Sequence, residues 1–105
     1  MKDRLELLID ILHDPKARLD ERHDAAMCLE ELSDDRLLPV VLDIVKNPNE
    51  DDLVLDACGI ALAKYLYKSN KFTKDDINEI LQKLPYIAQK TAYERIKDYD
   101  PDWFM

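Results

Sequence analysis

The 105-residue sequence predicts an all-α protein of six helices, arranged as three antiparallel pairs in a right-handed superhelix. Residues recur at an ungapped interval of 33, so that Pro15 matches Pro48 and Leu29 matches Leu62. This interval is typical of stacked helical repeats. Apolar residues recur every three or four positions, as on one helix face. The one glycine, Gly59, is too few for the turns of a β-sheet protein. The predicted pairs span 3–32, 36–67 and 74–98, with an acidic, aromatic tail at 98–105 in a single domain.

The first pair contains two short helices. Helix 1 is predicted from its N-cap Asp3 to His13, because the residue before Pro15 is pushed out of the α region. Helix 2 is predicted from Glu21 to Leu32. The inward stripe of helix 1 is Leu5, Leu8, Ile9 and Leu12, widened by Leu7 and Ile11.

The second pair repeats this plan. Helix 3 follows the capping cluster Ser33–Asp35, with Pro39 in its first turn, where the missing N–H costs nothing. Helix 4 is predicted over Asp52–Tyr67. Gly59 falls at the repeat position of Ala26, which favours close helix packing over a turn. The predicted face of helix 3 is Leu38, Val41, Leu42 and Val45.

The third pair departs from the interval. The step from Leu38 to Ile77 is 39 residues, and the six extra residues are assigned to the loop Lys68–Thr73. Thr73, with Asp76 three residues later, is a capping-box pattern. Helix 6 is predicted from Tyr86 to about Lys97. A degenerate last repeat is expected of a terminal cap.

Residues 22–39 resemble the junction between two HEAT repeats of the short bacterial type, also seen in phycobilin-lyase-like proteins: R-x-x-A-A-x-A-L-x-x-L-G-D-x-R-A-I-P. Cys28 stands at an alanine position and Ser33 at the glycine, and Leu55 replaces the arginine in the second copy. The resemblance covers about residues 5–67 and implies a HEAT-like superhelix that binds other proteins. The matching residues are Arg22, Ala25, Ala26, Leu29, Leu32, Asp34, Arg36 and Pro39.

Charge restricts the class of partner. The formal net charge is −8 and the pI is about 4.6. Such a surface repels phosphate backbones, which argues against direct binding of nucleic acid, and attracts a basic protein. The N-terminus lacks the pattern of a signal peptide, and no apolar run approaches the ~20 residues of a membrane helix. We therefore expect a cytoplasmic protein without membrane contact, whose Cys28 and Cys58 are reduced.

Catalytic and metal chemistry are not predicted. His13-Asp14 and His23-Asp24 suggest metal ligands, and iron-binding HEAT-like hydroxylases resemble this fold, but those enzymes carry repeat-equivalent His-Glu pairs. A nucleophile pair of Cys28 and His23 fails because positions i and i+5 diverge on a helix. A lyase activity would rest on fold analogy alone. We therefore expect no enzyme, cofactor or metal.

A protein-binding surface is predicted instead. Asp34-Asp35 and Glu50–Asp52 could merge into one acidic field, or could serve only to complement helix dipoles. Met27 and Ile60, on the second helices, form either a small apolar patch or packing between repeats. Trp103 either seals the core or anchors a partner. The full predicted set is His23, Met27, Glu30, Glu31, Asp34, Asp35, Glu50, Asp51, Asp52, Asp56, Ile60, Lys64, Tyr67 and Trp103.

The function that these features favour is that of a small acidic immunity protein or antitoxin, which binds and blocks a basic toxin such as a nuclease. The alternative is an adaptor or assembly-factor subunit, whose partner need not be basic. An enzyme of the lyase or hydroxylase type ranks third.

Overall fold

The computed structural model describes residues 1–104, and all regular structure within them is helical, which confirms the predicted class. Met105, the last residue of the predicted tail, lies outside the described residues. No helix within residues 1–104 is long and apolar enough to span a bilayer. The helices are α1 (Arg4–His13), α2 (Leu19–Cys28), a 3-10 helix (Leu29–Glu31), α3 (Leu37–Val45), α4 (Asp52–Lys68), α5 (Lys74–Gln82) and α6 (Tyr86–Tyr99).

Two helix starts are fixed by side-chain caps, as predicted. The Asp3 carboxylate accepts from the Glu6 backbone N–H at 3.0 Å, and the Glu6 carboxylate accepts from the Asp3 N–H at 3.3 Å. Thr73 and Asp76 make the same reciprocal pair at the start of α5, with both bonds at 3.1 Å. Each cap satisfies backbone donors that have no partner inside the helix.

The second helix differs from its predicted bounds. It begins at Leu19 rather than Glu21, because the Glu21 carboxylate reaches back to the Arg18 backbone N–H at 3.2 Å and closes the first turn there. Its α-helical hydrogen bonding stops at Cys28, and Leu29–Glu31 tightens into the 3-10 helix. Such tightening is common at helix C-termini.

The centre of the molecule is α4. It packs against α2, the 3-10 helix, α3 and α6, and nine of its seventeen residues are buried. Each odd-numbered helix contacts the even-numbered helix that follows it. The even helices (α2, α4 and α6) pack against one another in chain order, so they form one continuous layer.

The even helices keep a common register through all three pairs. Leu29, Leu62 and Ile96 are fully buried and stand 33 and 34 residues apart. The slip seen from Leu38 to Ile77 is therefore confined to the odd helix, because the connection from α5 to α6 is short and returns the chain to register. Two further sets occupy equivalent positions: Ala25, Cys58 and Ala92, all buried, and Arg22, Leu55 and Gln89, each the fourth residue of its helix.

Gly59 marks a close approach between helices, as predicted. A Cβ atom at this position would lie 2.5 Å from the carbonyl oxygen of Ala88. Since that neighbour is backbone, it could not move aside without shifting α6. The glycine therefore permits α4 and α6 to pack closely.

One predicted part of the core is wrong. Leu7 and Ile11 are exposed on α1 instead of widening its inward stripe. Ile44, the repeat equivalent of Ile11, is buried. The first pair lies beside α3, where Arg36 bonds Asp3 at 2.6 Å, but α1 has no such neighbour on that side within residues 1–104.

Candidate protein-binding surface

The two acidic clusters lie at opposite ends of α4. Asp51 caps its N-terminus by accepting from the Leu53 N–H at 2.9 Å. Asp35 accepts from the Tyr65 hydroxyl at 3.2 Å, near the C-terminus of the same helix. Fourteen helical residues separate Asp51 from Tyr65, which is ~20 Å at 1.5 Å per residue. The merged acidic field is therefore wrong.

Glu50 is not available to a partner. Its carboxylate is 4% exposed and accepts from Arg22 Nη2 at 2.7 and 2.8 Å. Arg22 Nε also donates to the carbonyl of Leu12 at 3.2 Å, so one guanidinium joins the end of α1 to the loop before α4. A carboxylate this buried is stable as an anion only with such a partner. Glu50 thus belongs to the interior of the fold.

Other predicted acids are also paired locally. Arg36 Nη2 bonds Asp34 at 2.6 Å, and these hydrogen bonds lower the pKa of the Asp34 carboxyl to about 2. Arg4 holds Glu31 at 2.5 Å, on the side of α2 that faces α1. The interpretation of these acids as local structural groups accounts for their positions.

A second set of predicted residues shares one surface. Most of α4 is buried, and the side chains that reach solvent along its middle follow spacings of three and four. Equivalent positions on α2 and α6 extend this stripe, and we call the whole the even-helix face. It consists of Asp20, His23, Met27 and Glu30 on α2, then Leu53, Asp56, Ile60, Lys64 and Tyr67 on α4, and Ile87, Lys90, Glu94 and Lys97 on α6.

The even-helix face has an apolar centre. Met27 is 50% exposed, so it does not serve as packing between repeats, while Ile60 is half-buried beside it. Leu53, also 50% exposed, and the half-buried Ile87 complete the centre. Sequence reasoning missed Leu53 because it follows an acidic run. Its place three and seven residues before Asp56 and Ile60 was the signal that could have found it.

Trp103 closes the core. It is 6% exposed, its ring meets Tyr67 edge-on at 6.1 Å, and its Nε1 donates to Asn78 Oδ1 at 3.4 Å. Tyr67 stacks on Tyr99 with ring centroids 5.5 Å apart. Of the two interpretations of Trp103, the structure favours the core cap over the exposed anchor.

The histidines and cysteines are dispersed. His13 lines a cleft of about 360 Å³ between the first two pairs, with its Nε2 3.5 Å from Asp43, whereas His23 lies on the even-helix face. Within residues 1–104, no three His, Cys, Asp or Glu side chains are grouped as metal ligands. Cys28 and Cys58 are free thiols, and burial raises the pKa of Cys58 to about 12.

Comparison of this chain with protein-family models, with curated proteins and with solved structures finds no match.

Proposed function

We propose that the chain is a protein-binding module built as a HEAT-like right-handed superhelix of three antiparallel pairs. Arg4, at the start of α1, holds Glu31 at the end of the 3-10 helix, and Arg22, near the start of α2, bonds Leu12 near the end of α1. Contacts of start to end at both limits of a pair are those of an antiparallel hairpin.

A repeated contact supports the same arrangement in the third pair. Gln89 Nε2 donates to the carbonyl of Leu81 in α5 at 3.0 Å, as Arg22 does to Leu12 in α1. Both donors are the fourth residue of an even helix. Both satisfy a carbonyl near the C-terminus of the preceding helix, where such groups lack helical partners.

The proposed activity is inhibition of a basic toxin, such as a nuclease, by an acidic immunity protein. The observation that carries it is the exposed Met27 on the even-helix face, near acids such as Asp24 and Glu30 that have no ion-pair partner within residues 1–104. Protein interfaces join an apolar centre to a polar rim, and rim charge selects a partner of opposite sign.

An adaptor or assembly-factor role is the second candidate. Tyr86 is 73% exposed, and Leu53 is exposed on the neighbouring helix. Binding dominated by these side chains would depend little on salt, because screening acts on charges rather than on apolar contact.

The test is co-expression with the product of the neighbouring reading frame. We expect that product to be basic, to be toxic when expressed alone, and to co-purify with this chain in a complex that weakens as salt rises. A neighbouring product that is harmless and unbound would contradict the inhibitor function. A complex that forms equally well at low and high salt would favour the adaptor.

A further inference from the structure

We infer that the N-terminal half of the even-helix face docks one amphipathic, basic helix of the partner protein. This inference rests on the proposed function and identifies the surface and the segment that it receives. Exposed large apolar side chains concentrate there: Leu19, Met27, Leu53 and Tyr86 all belong to even helices. Three of these four are the first or second residue of their helix. Large apolar side chains grouped on a surface mark interaction sites, whereas scattered ones do not.

These side chains form a row because the helix starts lie together. The bond from Arg22 to Glu50 joins the first turn of α2 to the residue just before the N-cap of α4. The close approach of Gly59 to Ala88 joins the first half of α4 to the first turn of α6. The row therefore crosses three adjacent helices.

The charge of the surface selects a basic occupant. Asp24 and Asp52 are exposed in this half and have no ion-pair partner within residues 1–104. The Asp56 carboxylate is positioned by a hydrogen bond from the Thr91 hydroxyl of α6. Lys90 is the basic residue of the face in this half. Carboxylates beside exposed apolar groups complement lysine or arginine next to leucine-like residues.

Helix geometry specifies the length and pattern of the segment. Packed helices lie ~8–10 Å apart, so the three even helices span ~16–20 Å. A helix returns to the same face every seven residues, a rise of ~10.5 Å. A helix lying across the layer can therefore place one apolar side chain over each even helix. About 15 residues suffice, with basic residues on the flanks of the apolar stripe.

The test uses a fluorescent synthetic peptide of about 15 residues made of leucine and lysine, with leucines spaced three and four apart. We expect saturable binding that Leu53→Ser with Tyr86→Ser weakens about tenfold or more, as loss of an apolar interface centre should. Asp24→Asn with Asp52→Asn should weaken binding less and reduce its salt dependence. A peptide with glutamate in place of lysine should not bind.

Matched variants outside the surface control for general stickiness and charge. Leu7→Ser with Ile11→Ser removes exposed apolar groups from α1, and Asp75→Asn with Asp98→Asn removes two exposed acids. All variants should keep the wild-type circular dichroism spectrum and thermal transition. Equal weakening by control and face variants, or no weakening by the face variants, would overturn the surface.

The two proposals fail separately. If the neighbouring product is a toxin that binds all face variants as tightly as wild type, the inhibitor function stands and the docking surface is wrong. If the lysine peptide behaves as expected and the neighbouring product is harmless, the surface stands and the inhibitor function is wrong.

Discussion

The first two helix pairs and the third pair solve the same packing problem with different strictness. Pairs one and two follow one interval of 33 residues in both of their helices. The third keeps the register only in α6, where Ile96 continues the series of Leu29 and Leu62, while α5 is displaced along the chain. The difference teaches that the layer of even helices carries the repeat, because there each pair must fit the next.

The third pair also ends the stack differently. Where a fourth pair would cover α6, the tail turns back after Tyr99 and buries Trp103 against Tyr67. Phe104 packs beside Tyr93 with ring centroids 5.7 Å apart and remains exposed. A terminal unit with its own covering segment is what a short stack needs, since its last apolar side has no further repeat.

The largest expected effect tests this cap. Trp103→Ala should lower the free energy of unfolding by about 3–5 kcal/mol, because it removes a large buried ring and leaves a cavity. Urea denaturation measures the change. Phe104→Ala, the exposed neighbour, is the matched control and should change stability by about 0.5 kcal/mol or less. Equal effects of the two changes would mean that the tail does not close the core.

The common register of the even helices is tested next. Leu29→Ala, Leu62→Ala and Ile96→Ala should each lower the free energy of unfolding by about 2–5 kcal/mol. Leu7→Ala, on the exposed side of α1, should have little effect. A much smaller loss at Ile96 than at Leu62 would break the equivalence of the third pair, and separate transitions would show that it unfolds on its own.

Local signals made much of the fold predictable. The caps at Asp3 and Thr73, the stop before Pro15 and the tight packing at Gly59 each depend on residues within a few positions or on one repeat interval. These features are confirmed by the structure. The continuation of the register into α6 was missed, because the comparison was made through Ile77 on the displaced odd helix.

The candidate surface was less predictable because its charges are settled by distant residues. Glu50 reads as a free loop acid, and only the fold brings Arg22, 28 positions away, to neutralise it. Exposure likewise depends on whether a neighbouring pair exists, as Ile11 and Ile44 show. A repeat interval predicts equivalent positions, but it does not predict which of them lie at an end of the stack.

A smaller effect separates the two contacts within the even layer. Gly59→Ala should lower the free energy of unfolding by about 1–3 kcal/mol, because the added methyl collides with the backbone of Ala88. At the equivalent position in α2, Ala26→Gly should lower it by about 0.5–1 kcal/mol through backbone entropy and lost packing. Thermal and urea unfolding measure both. A stabilising Gly59→Ala would show that α4 and α6 are not in close contact.

The smallest expected effect concerns the junction of the first two pairs, where Arg36 bonds both Asp34 and Asp3. Hydrogen bonds from Arg36 lower the pKa of Asp34 from an ordinary 3.8 to about 2. Between these two values the folded state keeps the carboxyl ionised, while the unfolded chain binds a proton. Acid therefore favours unfolding, and the stabilisation present above pH 4 is lost as the pH falls through this window.

The Arg36→Gln variant tests this linkage. We expect the pKa of Asp34, followed by carboxyl NMR titration, to return towards 3.8. The stability difference between wild type and variant should be small at neutral pH, since exposed ion pairs contribute about 0–1 kcal/mol, and should shrink further between pH 4 and 2. Lys83→Gln is the matched control in the third pair, where Lys83 and Glu79 are 3.9 Å apart and largely exposed. An Asp34 that titrates normally in wild type would show that Arg36 does not join the two pairs in solution, and the strict repeat would then depend on apolar packing alone.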